Sequence, residues 1–77
     1  MDATGHSIRL IDNSTAEEIG ALALALVPRE GENLRLMEGV VERGGLYKVD
    51  VVVHVVSAQG DTHAQSAELY VSFVKPL

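Results

Sequence analysis

The stretch Leu46 to Ala58, LYKVDVVVHVVSA, is the longest uninterrupted β signal in the chain and limits what the remaining residues can build. Branched and aromatic side chains crowd it, and such side chains fit best on a pleated, half-buried strand. A strand of this length needs hydrogen-bonding neighbours on its flanks and apolar cover on at least one face. The 77 residues supply chain for one core, so the sequence reads as a single small domain, 1–77, with 1–5 as a loose polar terminus. Ordering each residue costs about 1.5 kcal/mol, which nearly cancels the apolar burial a chain this short can achieve. With no cysteine, disulfides and thiolate metal sites are excluded, leaving a well-packed core or oligomerisation as the support.

Working outward from that strand, Ser7 to Ile11 alternates apolar and polar residues and predicts a short first strand. Ser14-Thr15-Ala16-Glu17 then matches the S-x-x-E capping box, with Glu17 and Glu18 where a helix dipole favours anions. The expectation is a helix from Ala16 to Val27, with Ile19, Leu22, Ala23 and Leu26 on one face and Pro28 and Gly31 ending it. Its opposite face carries Ala21, Leu24 and Ala25, so a sheet or a partner should cover both sides.

Asn33 to Glu42 predicts a second strand with a bulge at Gly39, and Gly44-Gly45 a two-residue hairpin turn. That turn pairs position 40 with 49, 36 with 53 and 34 with 55. Leu34, Leu36 and Val40 then share a face with Tyr47, Val49, Val51, Val53 and Val55. Gly60-Asp61 marks the next turn, and a last strand runs from about Ala64 to Lys75 with Ala67, Leu69, Val71 and Phe73 on one side. The expected fold class is α+β, one helix packed on a curved antiparallel sheet in the order β-α-β-β-β, with the first strand on an edge or exchanged.

Under this register the outer sheet face shows Met37, Val41, Val52, Val56, Tyr70 and Val74 among Arg35, Lys48, Asp50 and His54. A solvent-facing sheet side is normally more polar, and contiguous exposed apolar surface marks an interface. These residues, with His54, are the candidate protein-binding surface, and a second copy of the chain is the expected partner, another protein the alternative. The formal charge is −5, and the six Lys and Arg residues are scattered at 9, 29, 35, 43, 48 and 75. That argues against nucleic acid and anionic membranes as partners, because both need a concentrated positive field. The opening residues show no charged segment followed by a long apolar run, which suggests a cytoplasmic protein.

Chemistry is sparse. Glu38 is the one carboxylate whose alternation points it beneath the helix, where burial would raise its pKa and suit it to general-base work. A bulge at Gly39 turns it outward instead, so no catalytic residue is assigned and the chain reads as non-enzymatic. His6, His54 and His63 invite a metal, yet on paired strands His54 and His63 have opposite parity and face opposite sides. No metal or cofactor is implied. Gly44-Gly45 sits in a hairpin rather than between a strand and a helix, so it is not a phosphate loop.

The layout from Ser14 onward resembles the cystatin family, in which a curved antiparallel sheet wraps one helix. The pieces that carry the likeness are the helix Ala16 to Val27, the strand Asn33 to Glu42, the turn Gly44-Gly45 and the ending Tyr70-Val71-Ser72-Phe73-Val74-Lys75-Pro76-Leu77. The resemblance implies inhibition of papain-like cysteine proteases, with contact from Gly5, from Glu42 through Gly45, and from Pro76 with Leu77. Where that family carries Q-x-V-x-G this chain has Val41-Glu42-Arg43-Gly44-Gly45, and Leu77 stands where the family has tryptophan. The Ile8-Arg9-Leu10 strand before a capped helix is also similar to the opening of dodecins, whose flavin site stacks on an aromatic ring. The reading that follows is a non-enzymatic binding and assembly module, self-associating through its sheet. Its alternatives are a cystatin-like inhibitor and a small enzyme or ligand carrier with a site between helix and sheet.

Overall fold

The computed structural model describes residues 6–59 and 62–76. They form five strands, β1 (His6–Asp12), β2 (Glu18–Leu24), β3 (Asn33–Leu36), β4 (Gly45–Gln59) and β5 (Thr62–Pro76). One mixed sheet holds them in the order β2-β1-β5-β4-β3. β1 is antiparallel to β2 and parallel to β5, and the other neighbours pair antiparallel. The expected α+β class is therefore corrected to all-β: no helix is found among the described residues, and most of the segment read as a helix is β2. The first strand is interior, between β2 and β5, rather than on an edge. The expected termini and turn apex at 1–5, Gly60-Asp61 and Leu77 lie outside the described residues.

The reason for the β2 correction is local. Ala21-Leu22-Ala23-Leu24 alternates small and large side chains at the period of a strand, with the leucines half-buried and the alanines exposed. Pairing along β1 and packing against the core outweigh the helix propensity of alanine and leucine, which amounts to tenths of a kcal/mol per residue. The apparent capping box is a strand-to-strand turn. Asp12 Oδ1 accepts from the Ser14 amide at 2.8 Å and the Ser14 hydroxyl at 2.6 Å. The Asp12 amide donates to the Glu17 carbonyl at 2.8 Å, and the Glu17 amide donates to Thr15 Oγ1 at 3.3 Å. Ala16 completes the reversal with a φ of 64°, a left-handed conformation that costs a side chain roughly 1–2 kcal/mol.

The sheet curls until its two ends meet. Gly20 of β2 forms an isolated antiparallel bridge with Val41, just beyond β3. A Cβ at Gly20 would lie 2.2 Å from the Val40 carbonyl oxygen, so only glycine permits this approach. Inside the curl, Ile8, Leu10, Leu36, Val41, Tyr47, Val49, Ala67, Leu69 and Val71 form the buried core. The connection between β2 and β3 runs over the concave side, with Val27 against the core. Backbone bonds between Gly31 and Val49 and between Val49 and Glu32, at 2.8 and 2.9 Å, fasten it to β4.

The register between β3 and β4 differs from the sequence expectation. Leu36 pairs with Gly45 and Leu34 with Tyr47, so 37–44 is a longer connection rather than a Gly-Gly hairpin. Its reversal uses Gly39, at φ 108°, in place of the expected bulge. Tyr47 braces it: the hydroxyl donates to the Arg43 carbonyl at 2.6 Å, and the ring meets Phe73 edge-on at 5.3 Å. The Arg43 guanidinium sits 3.7 Å over the Phe73 ring centroid.

Two outcomes test this turn. Ala16→Gly removes the left-handed penalty and is expected to raise the unfolding free energy by about 0.5–1 kcal/mol after the added unfolded-state freedom is subtracted, seen as a higher urea midpoint. In a helical first turn the same change would lower it. The second concerns acid. The Ser14 hydroxyl first, and the Ser14 amide next, hold the Asp12 carboxyl below its usual pKa. A depressed folded-state pKa means the stabilisation is complete above the unfolded pKa, near pH 4, and is lost as pH falls through the folded value. The stability gap between the natural chain and Asp12→Asn should accordingly be widest at neutral pH and narrow below about pH 4 in urea titrations. A gap constant from neutral pH into that range would contradict it.

Candidate functional site

The long strand β4 changes face halfway along. The register with β5 slips between Val49 and Val51, making Asp50 the extra residue of a β-bulge. Asp50 accepts from Asn13 Nδ2 at 3.1 Å and from the Ser72 hydroxyl, so the polar side chain that interrupts the valine run is held by neighbours on the sheet. Beyond it, Val52 pairs with buried Leu69 and packs against the core. Val51, Val53 and Val55 pair with Tyr70, Glu68 and Ser66 on the convex face, each exposed by 37–40%.

The sequence-predicted interface residues are accordingly not brought together. Val41 is buried in the core, and Val52 is half-buried on the concave side with His54 and Val56 along the same strand face. Tyr70 is half-buried on the convex side, and Val74 is the exposed extra residue where β5 slips against Leu46 and Tyr47. Met37 is exposed beside Pro76 at the other end of the molecule. Glu38 is exposed in the 37–44 connection and not beneath any cover. Of the loop residues that the cystatin resemblance implied, Gly45 is buried and pairs with Pro76, Gly44 precedes it half-buried, and Gly5 lies outside the described residues. A Cβ at Gly45 would meet Phe73 Cε1 at 2.6 Å, so this glycine serves packing.

His6 and His54 line one shallow cleft with Val27, Val55, Val56 and Ser66. Among the described residues no three histidine or acidic side chains converge as a metal-ligand set. The ion pairs among those residues centre on Arg9, which reaches Glu18 at 2.9 Å and Glu68 at 3.0 Å across the convex face. These are exposed pairs and contribute little to stability. No charged residue is buried among the described residues, and the hydroxyl of buried Tyr47 is bound to the Arg43 carbonyl.

Two such surfaces escaped the sequence reading. One is the free side of β2, an end strand of the sheet. From Ile19 to Val27 it carries neither a charge nor a proline, and beyond it Leu26 is 82% exposed. The strict Ala-Leu alternation was the available signal. The second is a groove of about 520 Å3 at the β3 end, lined by Arg35, Met37, Leu46, Lys75 and Pro76. Nothing local in the sequence announces it, because its residues come from three strands and the 37–44 connection and meet only through the register.

No protein-family model, curated protein or solved structure matches the chain.

Proposed function

We propose that the chain is a small all-β assembly module that associates with a second copy of itself along the free side of β2. The observation that supports this reading is the uncharged, proline-free run from Ile19 to Val27 at a sheet end. Backbone N–H and C=O groups on an end strand are a template for another strand, and monomeric proteins blunt them with lysine, proline or bulges. The residues following Gly20 in β2 carry none of these, and among the described residues the bridge recorded from β2 to a segment other than β1 is that of Gly20 with Val41.

Pairing with an identical β2 is self-complementary. An antiparallel strand pair related by a two-fold axis lets each copy give and receive the same bonds, and the leucines of both copies continue the apolar concave side. With no charge along Ala21 to Val27, the contact itself brings no like-charged side chains together, which limits the repulsion between two copies of net charge −5. A contact of one strand pair is smaller than the roughly 1,200 Å2 typical of stable complexes, so the association belongs in the micromolar range.

Sedimentation equilibrium tests it. The expected mass rises from 8.2 kDa toward twice that value with increasing concentration, and Ala23→Lys, at an exposed position on the strand, returns the chain to 8.2 kDa. A monomer at every concentration up to about millimolar, or a dimer indifferent to Ala23→Lys, would overturn the proposal.

A further inference from the structure

Arg35, Leu46 and Lys75 stand side by side on one face of the sheet. Arg35 pairs with Leu46 and Leu46 with Lys75, so one row crosses β3, β4 and β5 with the leucine between two cations. Tyr47 and Val49 of β4 point into the core, which puts the alternate residues Leu46 and Lys48 on the convex side. Strands lie about 4.8 Å apart, so the Arg35 and Lys75 backbones are roughly 10 Å from each other, within joint reach of one anionic group held over Leu46.

The groove of about 520 Å3 between these side chains has two unlike ends. Leu36 and Pro76 both pair with Gly45, so Met37 and Pro76 extend the apolar lining of Leu46 at the Gly45 end. Toward the other end Lys48 is exposed on the same face as Leu46. Among the described residues the ion pairs belong to Arg9, and neither Arg35 nor Lys75 enters one. The acids nearby are at the margins. Glu38 lines an adjoining cleft with Met37, Gly44 and Pro76, and Asp50 is bound by Asn13 and Ser72.

We infer that this face binds a soluble amphiphilic anion, with a single carboxylate or phosphate head between Arg35 and Lys75 and a short hydrocarbon tail over Leu46 toward Met37 and Pro76. The arginine fork and the lysine ammonium fix the head, and the tail removes the exposed apolar lining from water. Glu38 beside the tail end selects against a second negative charge there, so a dicarboxylate, an acidic peptide or a polyphosphate fits less well. The contacts are with side chains on the sheet face, and the inference does not rest on association through β2, at the opposite end of the strand order.

Octanoate is the probe, added to the full chain and followed in proton–nitrogen correlation spectra, whose readout at Arg35, Leu46 and Lys75 is separate from that at β2. Saturable shifts at these three amides are expected, with a dissociation constant on the order of a few hundred micromolar that rises as salt is added. Arg35→Glu and Lys75→Glu, both at exposed positions, should each weaken binding about fivefold or more. Arg29→Glu, the same charge change outside the groove, should alter it less than about twofold. Octanol and inorganic phosphate, each offering half of the ligand, should bind at least about tenfold more weakly than octanoate. Shifts that do not saturate, an equal loss in Arg29→Glu, or octanol or phosphate binding as well as octanoate would each overturn the inference. So would adsorption to phosphatidylglycerol vesicles by a chain that gives no response to octanoate.

Discussion

At Gly20 the backbone of β2 comes so close to the segment after β3 that a single added carbon would sit 2.2 Å from the Val40 oxygen. That approach turns a flat five-stranded sheet into a curled one, and the curl makes a core possible at this size. With the bridge to Val41 in place, one sheet covers its own concave side. Side chains from all of the strand-bearing regions, from Ile8 to Val71, converge there without a helix to cap them. The β2–β3 connection, fastened to Val49, closes the remaining gap with Val27. The glycine thus links the local pattern of β2 to the packing of the whole chain.

Much of the strand content was legible, and the errors have identifiable causes. β1, β4 and β5 are found where the alternation of Ile8 and Leu10, the valine run, and Ala67, Leu69 and Val71 predict them. β2 was misread because S-x-x-E and an Ala-Leu composition are helix signals by propensity. The competing period of two in Ala21 to Leu24 is the signal that tertiary pairing selects. The Gly44-Gly45 turn gave a register displaced by an even number of residues from the observed one. Leu34 and Leu36 consequently still share a face with Tyr47 and Val49 although their partners differ.

The faces beyond Asp50 were misassigned for a different reason. A bulge inverts the alternation of every later residue, and here the extra residue is Asp50, the lone aspartate of the valine run. The candidate interface list inherited that inversion, which is why Val52 lies inward and Val51 outward. Two surfaces were illegible in opposite ways. The β2 edge was hidden by the helix reading, and the cationic groove by its dependence on the pairing of Arg35, Leu46 and Lys75 across three strands. Register rather than sequence spacing thus decides which of the scattered cations are neighbours.

The strand identity of 18–24 and its closure on Val41 support everything built here, and proton NOE spectroscopy measures both together. Strong sequential contacts from each α-proton to the next amide along Glu18 to Leu24, with contacts from Gly20 to Val41, are the predicted result. A series of amide-to-amide and α-proton to third-amide contacts over the same residues, with none from Gly20 to Val41, would establish a helix and contradict the fold.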